Sequence, residues 1–171
     1  MTKKNIIKLF IVICWMGVIF VFSAQDAKKS LDTSNKVIVV SAEVVKKRPL
    51  TTTEKTNVIK KYKVIIRKTA HFTIYFILGI FVYLFVKDYY PNNKKLIFIS
   101  ILICFLYAAS DELHQTFSLG RTPQVQDVLI DTCGSILSIM AMFSITKFKQ
   151  KCIKTKWWNK IIKRSLKWKL F

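Results

Sequence analysis

The polar residues able to do chemistry fall in three short clusters. Arg67, Lys68, His71 and Tyr75 form the first; Asp111, Glu112, His114 and Gln115 the second; Arg121, Gln124, Asp127 and Asp131 the third. Histidine titrates near neutral pH, so His71 and His114, with Asp111 and Glu112, are candidate acid–base groups. Arg67, Lys68 and Arg121 are suited to holding a phosphate or carboxylate. Tyr75, Gln115, Asp127 and Asp131 complete the candidate ligand-binding set. Two histidines among carboxylates also suit a divalent metal. No metal motif such as H-E-x-x-H occurs, however, and no metal site or cofactor is assigned. No G-x-S-x-G or other nucleophile motif is present. The alternative without chemistry is a salt-bridge network, cations against acids, that staples helices together.

Nearly everything between the clusters is apolar. A spanning helix needs about 20 residues. The apolar cores Phe72–Val86, Leu96–Ala109 and Val128–Thr146 reach that length only by taking in the polar residues at one end. Ionisable groups on membrane helices are costly and carry a functional hypothesis by default. The expected spans are therefore residues 67–86, 96–115 and 127–146, preceded by a first span at 1–22. Cleavage after Ala24 would leave bulky Phe22 three residues before the cut, where small residues are wanted, so the first span reads as an uncleaved helix. Four spans starting inside place Ser23, the first cluster, the second cluster and Asp127 on one side of the membrane. Along each helix, residues four apart share a face. This aligns Arg67, His71 and Tyr75; then Asp111, His114 and Gln115; then Asp127 and Asp131, continued by Gly134 and Ser138. The last two, with Ser135, are small enough to let a neighbouring helix approach closely.

Residues 23–66 form a basic connection. Val37, Val40 and Val44 recur at helical spacing before Pro49. Thr51-x-x-Glu54 is a capping box. After it, Val58, Ile59, Tyr62, Ile65 and Ile66 outline an amphipathic helix that runs along the membrane surface into the second span. Tyr90-Pro91-Asn92-Asn93 marks a tight turn between spans two and three, and Gly120 and Pro123 mark another between spans three and four. The predicted fold class is all-α: an integral membrane four-helix bundle with amphipathic surface helices in the first extracytoplasmic connection.

A net charge of +20 accompanies 52% hydrophobic residues and a mean hydropathy of +0.32. Greasy segments separated by basic ones explain both numbers. The Lys and Arg lie in connections and in residues 147–171, with no nucleic-acid-binding motif, so the expected partners are anionic lipid headgroups and not nucleic acid. That tail interleaves Trp157, Trp158 and Trp168 with ten Lys/Arg and no acid. Together with Lys3, Lys4 and Lys8 it places both termini in the cytoplasm. Cys14, Cys104, Cys133 and Cys152 form no C-x-x-C pair and read as small packing residues.

Arg67-Lys-Thr-Ala-His-Phe-x-x-Tyr75, Asp111-Glu-Leu-His-Gln115, Gly120-Arg121 and Asp127-x-x-x-Asp131-x-x-Gly134 together resemble the VanZ-like family. The likeness covers Arg67 to about Met142, and Ser23-x-Gln25 at the end of the first span fits it. The resemblance implies a small multi-spanning protein of the bacterial cytoplasmic membrane, linked through the founding member to teicoplanin-type glycopeptide resistance. It names no reaction. Two readings follow: a protein that binds an anionic lipid or lipid-linked envelope ligand, or a membrane enzyme that modifies such a substrate. Three positions depart from the family pattern. Ile74 stands where relatives often have Glu, Asp131 where they often have Asn, and Ser138 where they often have a second Gly. Ile74 removes one acid that a catalytic site would use.

Overall fold

The computed structural model describes the backbone of residues 2–23, 27–115 and 124–168. Five helices carry it: α1 (Lys3–Ser23), α2 (Ala27–Lys46), α3 (Thr52–Val86), α4 (Asn93–Gln115) and α5 (Val125–Trp168). Among the described residues there is no strand. Four of the helices, α1, α3, α4 and α5 through Ile153, are long and apolar enough to cross a membrane. Their outer faces carry Phe10, Ile13, Phe98, Leu106, Leu129, Leu137 and Ile145, all exposed. An apolar exterior of that extent is stable against lipid tails and unstable against water.

The helix ends follow from local chemistry. The Thr51 hydroxyl accepts the Glu54 N–H and the Glu54 carboxylate accepts the Thr51 N–H, so the expected capping box opens α3. Helix α3 then runs unbroken from the amphipathic stretch into the second span, 35 residues in all. Helix α2 begins at Ala27, ahead of the valine-spaced segment, and stops where Lys47 turns to φ 52°. The Tyr90–Asn93 turn ends with Asn92 Oδ1 accepting the Lys94 N–H at 2.9 Å, which satisfies an orphan donor at the start of α4. Helix α5 continues through the basic stretch as far as Trp168.

Helices α3 and α5 run parallel and form the most extensive interface of the bundle. Their register is constant. Arg67 meets Asp127, His71 meets Asp131, and the Ser135 hydroxyl donates to the Tyr75 carbonyl at 3.1 Å. Small residues set the closeness of approach. A Cβ on Gly134 would lie 2.6 Å from the Phe72 carbonyl oxygen, and one on Gly79 would lie 2.8 Å from that of Ser135. The expected small stripe, Gly134, Ser135 and Ser138, is therefore the contact face, with Gly79 as its counterpart on α3.

Helix α4 packs antiparallel to α3, with the Tyr75 and Tyr107 rings 6.2 Å apart. Helix α1 closes the bundle through bonds at three of its residues, Lys8, Trp15 and Met16. The Lys8 ammonium reaches Asp88 at 2.5 Å and the Leu84 carbonyl at 3.1 Å. The Trp15 indole donates to the Ile74 carbonyl at 2.9 Å, and the Tyr107 hydroxyl donates to the Met16 carbonyl at 2.6 Å. Fully buried Tyr75, Leu78, Val82, Ile19 and Ile139 fill the centre. Helix α2 folds back on the start of α3. Glu54 pairs with Lys46 at 2.9 Å and Arg48 at 2.6 Å, and Glu43 pairs with Lys55 at 3.3 Å.

Candidate functional site

The alternating helix directions bring one end of each span together. Gln115, the last residue of α4, donates to the Ser23 hydroxyl at the end of α1 (2.8 Å) and to Asp111 Oδ2 one turn back (3.2 Å). At the same level α3 presents Arg67, Lys68, His71 and Tyr75, and α5 presents Asp127 and Asp131.

Two layers can be distinguished. The outer one is half-exposed. Arg67 lies 3.4 Å and Lys68 3.9 Å from the Asp127 carboxylate, and Lys68 also donates to Gln126 at 3.4 Å. The inner layer is buried. His71 Nδ1 lies 3.6 Å from Asp131 Oδ2. Asp111, Glu112, Gln115, Asp131 and Tyr75 are each less than a tenth exposed. Glu112 accepts the backbone N–H of Gln124 just before α5 starts, tying the two helix ends together.

Much of this layer is left without a partner. Among the described residues, buried polar atoms of this layer with no hydrogen bond include Tyr75 Oη, His71 Nδ1, Asp111 Oδ1 and Asp131 Oδ1. An unsatisfied buried polar atom costs about 1–3 kcal/mol, so a patch of them at one end works against stability. Charge points the same way. Arg67 and Lys68 both serve Asp127, and among the described residues no Lys or Arg pairs with Asp111, Glu112 or Asp131.

The structure separates His114 from the rest. Its ring packs on Phe20 of α1, centroids 4.3 Å apart, and among the described residues it pairs with no carboxylate. One residue along an α-helix is about 100° of rotation, so His114 and Gln115 cannot both face the His71–Asp131 pair. Arg121, Gln25 and the turn at Gly120 and Pro123 lie outside the described residues, as do the side chains of Trp157, Trp158 and Trp168. Two residues of the α3 interfaces, Gly79 against α5 and Tyr107 of α4 against Tyr75, were not singled out from sequence. Gly79 continues the stripe Arg67, His71, Tyr75 by one more turn, and Tyr107 stands one turn before Asp111. The same four-residue step identifies both. Among the described residues no three His, Cys, Asp or Glu are grouped as metal ligands.

Four long apolar helices with an apolar exterior, and a buried polar cluster at one end, define a polytopic membrane protein. The sequence matches the family model described as VanZ/LLP1 over residues 8–147. That match reaches into all four membrane helices and includes every cluster residue, and the chain belongs to the VanZ-like family. No curated protein and no solved structure matches it.

Proposed function

We propose that the polar end of the bundle opens on the outer face of the bacterial cytoplasmic membrane and binds a lipid-linked or other anionic envelope ligand, and that this binding underlies glycopeptide resistance of the teicoplanin type. The observation that carries the reading is the concentration of unpartnered buried atoms at Tyr75, His71, Asp111 and Asp131. The acid-rich inner layer suits hydroxyl and N–H donors, such as those of a sugar or peptide. The Arg67–Lys68 edge, half-exposed and cationic, suits a phosphate. A lipid-linked envelope precursor carries both kinds of group. Orientation follows from the basic flanks at Lys3, Lys4 and Lys8 and along residues 147–168.

A second reading, a membrane enzyme acting on such a ligand, is favoured by the His71–Asp131 pair. A carboxylate facing one ring nitrogen of a buried histidine is the arrangement that orients an imidazole as a general base. One experiment divides the two. Lipids and cell-wall precursors from cells with and without the protein are compared by mass spectrometry. A new covalent species supports the enzyme. Unchanged chemistry with altered glycopeptide susceptibility supports binding, and identical chemistry with identical susceptibility removes both.

A further inference from the structure

The opposite end of the bundle holds a second polar feature that the cluster does not use. A cavity of 220 Å³ lies where α3 ends, α4 begins and α5 leaves its apolar run. Its wall includes Tyr83 and Lys87 from α3, Asn93 from α4, and Thr146, Lys147 and Gln150 from α5. Among the described residues no Asp or Glu lines it. Asp88, the acid beside Lys87 in sequence, is engaged by Lys8 at 2.5 Å. The lining is thus cationic without a counter-charge of its own.

Two helix ends bear on that sign. Asn93 is the first residue of the 23-residue α4, whose N-terminus carries a positive partial charge. Lys87 caps α3 and offsets the carbonyl end of that helix. Its ammonium rests 3.5 Å from the Thr146 hydroxyl, and the Lys147 ammonium lies over the Phe143 ring at 5.6 Å. Neither lysine has a carboxylate partner among the described residues. Tyr83 supplies an independent sign of a ligand. It is fully buried, it forms part of the wall, and its hydroxyl has no hydrogen-bond partner among the described residues.

We propose that this cavity binds a phosphate group, with Lys87 and Lys147 supplying charge and the Tyr83 hydroxyl and Thr146 supplying hydrogen bonds. Depth fits the assignment. Tyr83 lies in the last turn of the apolar α3 segment, and Thr146 ends the apolar run of α5. The cavity therefore sits at the membrane boundary, the level of lipid phosphates, on the side opposite the His71–Asp131 cluster. The phosphate can come from an anionic lipid headgroup or from free phosphate.

The test uses the full chain purified in detergent. Binding is read by native mass spectrometry and by thermal unfolding, with phosphatidylglycerol or inorganic phosphate as the probe. Wild type is expected to bind one of the two. Stabilisation by phosphatidylglycerol alone identifies the headgroup; stabilisation by inorganic phosphate alone identifies the free ion. Tyr83→Phe removes only the hydroxyl and should weaken binding about fivefold, the equivalent of one hydrogen bond. A Lys87→Gln, Lys147→Gln double variant should weaken it by more than about tenfold. Lys94→Gln, outside the cavity, should bind as wild type does. Failure of both probes overturns the assignment. Undiminished binding by the Tyr83→Phe protein, or an equal loss in the Lys94→Gln protein, overturns it as well.

Discussion

His71 Nδ1 stands 3.6 Å from Asp131 Oδ2 across the parallel α3–α5 interface. That separation is longer than a hydrogen bond, so the contact leaves both side chains able to engage a ligand. Each also keeps an unpartnered buried atom. Helices held together by this pair would use a contact that closes. His71→Ala is therefore expected to leave folded protein in the membrane near wild-type amount and to abolish the susceptibility or lipid phenotype. His114→Ala, which removes a ring packed on Phe20, should have the smaller functional effect. Detergent-extracted protein is measured by size-exclusion chromatography alongside drug susceptibility. A full phenotype in well-expressed His71→Ala protein would remove the site from this cluster.

Close approach of α3 and α5 gives a stability prediction with an internal control. In Gly134→Ala the new Cβ meets the Phe72 carbonyl oxygen, backbone that cannot rotate aside. Overpacking of this kind costs about 1–3 kcal/mol. Gly17, on α1, has nothing within 4 Å of the corresponding position. Gly17→Ala should be neutral or raise stability by up to about 1 kcal/mol through helix propensity. Thermal unfolding in one detergent should rank Gly134→Ala below wild type and Gly17→Ala at or above it.

Lys47 holds φ at 52° where α2 ends. The left-handed region costs a residue with a side chain about 1 kcal/mol, and glycine is the usual occupant at this position. Lys47→Gly should raise the melting temperature. A decrease would mean that the Lys47 side chain contributes more than its backbone strain removes.

The α2–α3 connection should respond to acid. The Leu50 N–H donates to Glu43 Oε1 at 3.1 Å and, with Lys55, holds the Glu43 carboxyl below the ordinary value of 4.5. A carboxylate with a depressed folded-state pKa contributes stability above its unfolded value, and that contribution is lost as pH falls through the folded value. Loosening of the hairpin should therefore begin as pH drops below 4.5. Hydrogen exchange at the Leu50 amide, corrected for intrinsic pH dependence, measures it. Glu43→Gln should flatten the response. An unchanged profile would show that the bond does not hold the hairpin.

Membrane topology can be read with single cysteines at Lys94 and Gln124, in a background lacking Cys14, Cys104, Cys133 and Cys152. The two positions bracket α4 and should react with an impermeant thiol reagent from opposite sides, Gln124 from outside. Reaction of Gln124 from the cytoplasmic side alone would invert the bundle. Reaction of both from one side would remove α4 as a span.

Several features were legible in the residues before any coordinates. The capping box at Thr51 and Glu54 needs only local geometry, and α3 starts there. The meeting of the polar clusters at one end needs only the parity of four spans, since successive helices must run in opposite directions. The stripes Arg67–His71–Tyr75 and Asp127–Asp131–Gly134 follow from 3.6 residues per turn. Tertiary structure decided what a helical wheel cannot: how each helix is rotated and how far it slides along its neighbour. The fit of Gly79 and Gly134 against opposing backbone set the α3–α5 register. That register paired Arg67 with Asp127 and His71 with Asp131, and the packing of α4 on α1 turned His114 toward Phe20. Packing of the same helices brought the end of α3, the start of α4 and the Thr146 turn of α5 together beside Tyr83. These residues are far apart in sequence, and only steric complementarity between helices makes them neighbours.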